Sequence, residues 1–248
     1  MVNISDAACS KRYPRAQPGA FIIGDDLAAM YKWFQLVNPT SLLYKVWFDL
    51  SYYFMMSESD VQSMLQMRRD SFLVKIDQRK RRYVILKDQQ MFNGLADLAG
   101  NNGVELRMYE MPGSARCPVT SLVVYLQHIH PGVAHVWQRP REIYRLSEPG
   151  VWYDMCPLGL TRLSRMMQQL CRLAGLSMIY RTHHVHNTAM RHLELAGVPP
   201  ALLRELRGRG SSQAERVCRP DSECCDATVI CRRESEAARK RRLAAMLM

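Results

Sequence analysis

The fold of this chain is decided by a stretch near its end that reads Thr182-His183-His184-Val185-His186-Asn187-Thr188-Ala189-Met190. Gly197-Val198 follows, then Arg207-Gly208-Arg209-Gly210-Ser211, and then Cys218. The pattern predicts a helix over residues 187–196 that Gly197 closes. It also predicts a short helix that Pro199-Pro200 opens and that runs to Leu206. Histidines crowd the first segment and arginines follow the second, so this stretch holds the main candidates for a functional site.

The length and composition are those of a folded chain. With 248 residues, 48% of them hydrophobic, it can bury the core of one large domain or two small ones. No run approaches the ~18 apolar residues of a membrane span, and residues 1–18 lack an apolar signal core. We therefore expect an intracellular protein with no membrane partner, in which the eight cysteines are reduced thiols.

The net charge of +11 is concentrated in the second half of the chain. Residues 125–248 carry 19 Lys and Arg against 11 Asp and Glu, and 18 of those 19 cations are arginine. Because the planar guanidinium donates paired hydrogen bonds to phosphate, this half is compatible with a nucleic-acid partner. Many soluble basic domains have the same balance, so charge alone leaves both interpretations open.

The first part of the chain predicts helices. Asp25 or Asp26 is a candidate cap for a helix that ends before Asn38-Pro39-Thr40. Apolar residues at helical spacing over 41–54 predict a core helix. Ser57, with Asp60 three residues later, predicts a capping box that opens a helix through about Arg69.

The period then changes to that of strands. Residues 71–76 and 82–87 predict a β-hairpin with a basic tip over 77–81, and residues 104–109 predict a third strand. Helices resume from Pro118 to Pro131 and over 163–173, separated by a long connection over 132–157. The fold class is therefore α+β, mainly α, with a small β-hairpin or sheet. We expect an irregular lead-in over residues 1–24, one domain over 25–218, and a cysteine-rich, basic C-terminal tail over 219–248.

Several blocks, in this order, are similar to one family. They are Leu42-Leu43-Tyr44 with Tyr53-Phe54, Arg116-Cys117-Pro118-Val119 with Tyr125-Leu126, Val151-Trp152-Tyr153 with Pro157-Leu158-Gly159, and the closing stretch. Over about residues 36–220 the chain resembles the domain descended from Crypton tyrosine recombinases, found in MYM-type zinc-finger proteins and glutamine-rich relatives of vertebrates. The resemblance implies a tyrosine recombinase (phage integrase)-like catalytic domain.

Active members of that wider class cut DNA covalently. A tyrosine attacks a phosphodiester, two arginines and one or two histidines neutralise the developing charge, and a hairpin lysine protonates the leaving oxygen. In this sequence, Lys87 is the candidate for that lysine. The resemblance expects Gly-Leu-Arg, with the first arginine, where Met55-Met56-Ser57 stands.

The other matched positions are in the closing stretch. His183 corresponds to the histidine of His-x-x-Arg and His186 to its arginine, while Arg209 falls on the later histidine and Cys218 on the tyrosine. No tyrosine follows Tyr180. Since losing one electrostatic donor typically lowers the rate by ~10²–10³, the resemblance implies that catalysis is lost and that Ser57, His183, His186, Arg209 and Cys218 are vestigial positions.

The expected function is therefore that of a domesticated, catalytically inactive domain without a cofactor. It would act in the nucleus as an interaction module for nuclear proteins, in transcription or chromatin. Two alternatives stay open: sequence-tolerant binding of double-stranded DNA, and strand cleavage by a Cys218 thiolate.

Further candidate residues are basic. The predicted contacts with DNA phosphates are Arg79, Lys80, Arg81, Arg82, Arg181, Arg207 and Arg209. The predicted nuclear import signal consists of Arg232, Arg233, Arg239, Lys240, Arg241 and Arg242, for which a solvated helical tail is the alternative. The histidines at 183, 184, 186 and 192 include i, i+3 positions that share a helical face, but no carboxylate or cysteine at ligand spacing accompanies them. The cysteines at 218, 224, 225 and 231 do not have the spacing of a familiar zinc site, so no metal is predicted.

Overall fold

The computed structural model describes residues 13–87, 104–144, 150–207 and 228–232. The helices are α1 (Gly24–Trp33), α2 (Pro39–Tyr53), α3 (Val61–Leu65), α4 (Pro118–His128), α5 (Leu160–Ser164), α6 (Met166–Leu173), α7 (Thr182–Leu195) and α8 (Pro200–Arg207). The strands are β1 (Phe72–Ile76), β2 (Arg82–Leu86), β3 (Val104–Tyr109), β4 (Gln138–Pro140), β5 (Tyr153–Pro157) and β6 (Thr228–Arg232). Helices combined with small antiparallel sheets confirm the predicted α+β class.

Helix α2 lies at the centre of the fold. Asn38 Oδ1 accepts a hydrogen bond from the Ser41 N–H at 3.0 Å and caps this helix. The preceding helix α1 has already ended at Trp33. The predicted apolar face is buried, but so are Tyr44, Lys45 and Asp49 on the other sides. The helix contacts α4, α6 and α7, and it is therefore enclosed rather than amphipathic.

The four-stranded sheet contains the predicted hairpin. Strands β1 and β2 pair antiparallel from Phe72↔Leu86 to Ile76↔Arg82, which confirms that prediction. The predicted third strand, β3, pairs with β2. Strand β6 lies within the segment assigned to the C-terminal tail and pairs antiparallel with β3, giving the order β1-β2-β3-β6.

Two helix predictions in the first part of the chain are wrong. Ile23, not Asp25 or Asp26, occupies the N-cap of α1. Both aspartates lie in the first turn of the helix, where their negative charge interacts favourably with the positive end of the helix dipole. The helix predicted through Arg69 is shorter. It consists of a 3-10 helix over Glu58–Asp60 followed by α3, which ends at Leu65. The capping bond itself forms, because Asp60 Oδ2 accepts the Ser57 N–H at 2.7 Å.

Three boundaries in the second part also differ. The helix predicted over 163–173 is divided into α5 and α6 at Arg165. The predicted connection over 132–157 contains β4 and β5. Both strands are short and end in a proline, so the alternation of apolar and polar residues does not reveal them. Helix α7 begins at Thr182 rather than at residue 187, because the His184 imidazole accepts the backbone N–H of Arg181 at 2.9 Å and caps the helix.

The helices of the described ranges include none long and apolar enough to cross a bilayer.

Candidate functional site

The N-terminal segment, which we define as residues 13–20, crosses the start of α7. The Pro14 carbonyl accepts the Ile179 N–H at 2.8 Å, and the Ala16 N–H donates to the Ile179 carbonyl at 3.1 Å. On α7, His184 Nε2 lies 2.8 Å from the Gln17 carbonyl oxygen. Asn187, three residues further on the same helix face, donates to the Ala20 carbonyl at 3.1 Å. Residues 13–20 are therefore fixed to the domain by hydrogen bonds from both the 176–181 turn and α7.

A polar groove opens where this segment meets α6 and α7. Its volume is about 480 Å³. The lining residues are Tyr13, Arg15, Ala16, Pro18, Gln168, Arg172, Ile179, Arg181, His183 and His184. Three arginines from three separate segments thus face one cavity, and no carboxylate of the described residues lines it. Such a cavity raises the local concentration of anions.

The three groove arginines are available to a ligand. Arg15, Arg172 and Arg181 are exposed. Within the described ranges, no ion pair joins any of them to a carboxylate. Glu58 Oε1 lies 3.1 Å from the groove residue His183, at Nδ1, but Glu58 itself does not line the groove. Binding an anion here therefore requires no internal ion pair to break.

His184 is a structural residue beneath the groove. Its side chain is buried, its Nδ1 accepts the Arg181 N–H, and its Nε2 faces the Gln17 carbonyl. A carbonyl oxygen only accepts, so Nε2 carries the proton and the imidazole is neutral. Burial lowers the pKa of His184, and the neighbouring His183 lowers it further.

Stability should fall as the pH is lowered, because this histidine is neutral in the folded state. The pKa of His184 lies below its unfolded value of about 6.5, so the unfolded chain binds more protons once the pH falls below that value. Burial lowers the pKa of His192 in the same direction. We therefore expect the free energy of unfolding to be lower at pH 5 than at pH 7. Urea unfolding of wild type and His184→Gln at both pH values tests this: an equal pH dependence in the variant would contradict it.

The structure brings two of the positions that the resemblance predicts to be vestigial against the segment that contains a third. His183 Nδ1 is 3.1 Å from Glu58 Oε1, and His186 Nδ1 donates to the Met55 carbonyl at 2.9 Å. Ser57 lies between these contacts in sequence, and its hydroxyl is 2.7 Å from Asp60 Oδ2. The backbone of Met55 is left-handed, with φ at 52°. Arg209 and Cys218 lie outside the described residues, so their predicted place in the same pocket stays a prediction.

The hairpin tip is less basic than its sequence indicates. Arg81 Nη2 pairs with Asp77 Oδ2 at 2.8 Å, and its guanidinium lies 4.4 Å from the centre of the Tyr109 ring. Arg82 Nη1 pairs with Glu110 Oε1 at 3.1 Å. Arg79 and Lys80 are exposed, and no ion pair holds them within the described part of the chain. Half of the predicted cluster is thus neutralised locally.

The other predicted basic residues are distributed differently. Arg181 lines the groove, and Arg207 ends α8, but its side chain lies outside the described part. Arg232 is the last residue of β6. The remaining residues of the predicted import signal, Arg233, Arg239, Lys240, Arg241 and Arg242, lie outside the described residues. Lys87 Nζ is 3.8 Å from Asp70 Oδ2 at the base of the hairpin.

Sequence reasoning missed Arg15 and Arg172. Arg172 follows Gln168 by four residues in α6, a spacing that places both on one helix face but does not by itself indicate a site. Arg15 carries no signal in the sequence, because only the pairing of Arg15 with Ile179 brings it to the groove.

Within the described residues, no group of three or more His, Cys, Asp and Glu side chains is placed to hold a metal ion.

Comparison of the chain with protein-family models, with curated proteins and with solved structures found no match.

Proposed function

We propose that this chain is a catalytically inactive, Crypton-derived tyrosine recombinase-like domain that binds the phosphates of double-stranded DNA in the nucleus. One observation carries the binding function: three exposed arginines, without a partner carboxylate among the described residues, line one groove of about 480 Å³. Guanidinium groups in this arrangement meet phosphate oxygens rather than base edges, so binding is sequence-tolerant.

Contacts around His183 and His186 support the recombinase ancestry. These histidines face the segment after α2, which is where the resemblance expects the first catalytic arginine. Met55 has the left-handed backbone that favours glycine, and glycine is the residue that the resemblance expects there.

The side chains near α7 support the loss of catalysis. His186, at the place of the second arginine, donates to a backbone carbonyl. Tyr180, the last tyrosine of the sequence, donates its hydroxyl to Asp26 Oδ2 at 2.8 Å. Burial and this hydrogen bond raise the pKa of Tyr180 to about 12, so its phenol is not an activated nucleophile. Burial also raises the pKa of Cys171 to about 11, which keeps that thiol protonated.

A nicked suicide duplex tests both halves of this proposal. The full chain should retain the labelled duplex at low salt, and denaturation should release all of it. A covalent adduct that the Cys218→Ala variant abolishes would contradict the loss of catalysis. An absence of retention at low salt would contradict the binding function.

A second candidate function is that of a protein-interaction module. Strand β1 forms one edge of the four-stranded sheet, and its Leu73, Val74 and Ile76 side chains are 37%, 51% and 66% exposed. An extended segment of a nuclear partner adds readily to an edge strand of this kind. If this surface is the functional one, Val74→Lys should abolish partner capture from nuclear extract and leave DNA binding unchanged.

Nuclear import through the basic tail is a separate prediction. Replacing Arg233, Arg239, Lys240, Arg241 and Arg242 with glutamine removes most of the signal and leaves β6 intact. A fusion too large for passive entry should then move from the nucleus to the cytoplasm. A variant fusion that stays as nuclear as wild type would contradict import through this tail.

A further inference from the structure

The groove concentrates its arginines more than contact with a passing DNA backbone requires. Proteins that follow a duplex spread their cations along it, each meeting a different phosphate. Here Arg15 comes from the N-terminal segment, Arg172 from α6 and Arg181 from the residue before α7, and all three line one concavity. The concavity therefore presents guanidinium groups from three segments to an anion that enters it.

We propose that the groove binds a phosphate monoester, namely the terminal phosphate of a nucleic-acid strand; this inference rests on the proposed nucleic-acid-binding function. A monoester carries a charge of about −1.5 to −2 at pH 7 and offers three terminal oxygens. An internal phosphodiester carries one charge and has two non-bridging oxygens. Three guanidinium groups favour the terminal group, because it has more negative charge and one more acceptor oxygen than an internal phosphodiester.

Other groups in the groove fit the same ligand. The groove lies at the N-terminal end of α7, a helix of 14 residues, where the helix dipole favours negative charge. Gln168 adds an amide donor, and Tyr13 adds an aromatic ring on which the terminal base can stack. A strand end has a base beside its phosphate and so uses both features.

The hydrogen bonds beneath the groove hold these groups in place before a ligand arrives. The pairing with Ile179 fixes the backbone on both sides of Arg15, since Pro14 and Ala16 provide the two hydrogen bonds. The bond to His184 fixes the backbone of Arg181. Preorganised donors lose little entropy on binding, so the site favours one compact anion over a flexible contact.

The direct test compares short oligonucleotides that differ only at their ends. The full chain is titrated with one fluorescent 12-residue single strand in three forms: with a 5′-phosphate, with a 3′-phosphate, and with hydroxyls at both ends. We expect at least one phosphorylated form to bind about tenfold more tightly than the hydroxyl form at moderate salt.

Matched arginine variants assign the effect to the groove. Arg172→Gln and Arg181→Gln should each remove most of the end preference. Arg165→Gln should keep it, since Arg165 is exposed but does not line the groove. Circular dichroism checks that all three variants are folded.

The outcomes separate this inference from the proposed function. Equal, salt-dependent affinity for all three forms would overturn the inference and leave the proposed function standing. No binding of any form at low salt would overturn both. A phosphoserine peptide that binds as tightly as the best oligonucleotide, and depends equally on Arg172 and Arg181, would overturn the assignment to a strand end.

Discussion

Lys45→Met is expected to destabilise the protein by about 3–5 kcal/mol, because it leaves a buried carboxylate without its counter-ion. Lys45 Nζ is 2.7 Å from Asp49 Oδ2, and each side chain is 1% exposed. Nζ also donates to the Arg116 carbonyl at 3.2 Å. Among the described residues, Asp49 has one further donor, the Ser121 hydroxyl at 3.1 Å, which alone cannot compensate a buried charge.

The pH dependence of this variant identifies the mechanism. Burial raises the pKa of Asp49, while Lys45 and the Ser121 hydrogen bond lower it. Without Lys45 the folded carboxyl keeps its proton more tightly than the unfolded one, so the variant should regain stability as the pH falls. Urea unfolding of wild type and variant between pH 7 and pH 5 measures this difference.

The double variant Lys45→Met, Asp49→Leu is the matched control. It removes both charges, and the single Ser121 hydroxyl proton can be donated to the Cys117 or the Pro118 carbonyl oxygen instead, which lie 3.1 and 3.0 Å away. Most of the lost stability should therefore return. If the double variant is as unstable as the single one, the unpaired charge is not the cause.

Asp26→Ala is the second large effect that we expect, about 2–4 kcal/mol of destabilisation. Asp26 is buried in α1 and accepts three hydrogen bonds: from the Ser177 N–H at 2.8 Å, from the Ser177 hydroxyl at 2.6 Å and from the Tyr180 hydroxyl. Removing the carboxylate leaves all three donors without this partner. Chemical unfolding measures the loss, and a change below about 0.5 kcal/mol, ordinary for a surface substitution, would contradict it.

The same variant connects the core with the groove. The turn that Asp26 holds contains Ile179, whose backbone pairs with the segment that carries Arg15. We therefore expect Asp26→Ala to weaken DNA binding at a temperature at which the variant is still folded. Asp26→Asn, which keeps an oxygen acceptor, should lie between wild type and Asp26→Ala in both measurements.

Local patterns predicted the elements that have a strong period of their own. The hairpin of β1 and β2 and the helix after Pro118 follow from alternation and from the 3.6-residue repeat. Strands β4 and β5 do not, since Gln138–Pro140 is too short for a period to appear. The start of α7 depends on an imidazole cap, which composition rules do not anticipate.

The candidate site was predictable only where one segment carries the signal. The cluster of histidines on α7 was visible in the sequence, and the resemblance related it to the segment after α2. Arg15 and Arg172 were not predictable, because hydrogen bonds between segments distant in sequence bring them together. The hairpin arginines were overestimated, since Asp77 and Glu110 pair with two of them in the fold.

The salt dependence of DNA binding tests the central claim, that the arginine groove binds phosphates, most directly. The affinity of the full chain for two unrelated duplexes is measured over a series of salt concentrations. The groove variant carries Arg15→Gln, Arg172→Gln and Arg181→Gln. A control variant carries Arg68→Gln, Arg162→Gln and Arg165→Gln, which remove the same charge from exposed positions outside the groove.

For wild type, we predict similar affinities for both duplexes and a linear fall of the logarithm of the affinity with the logarithm of salt concentration. For the groove variant, this negative slope should become shallower by about 0.9 for each phosphate contact that is lost. The control variant should keep a slope close to that of wild type. A groove variant that retains the wild-type slope, or a wild-type chain that does not bind either duplex at low salt, would contradict the claim.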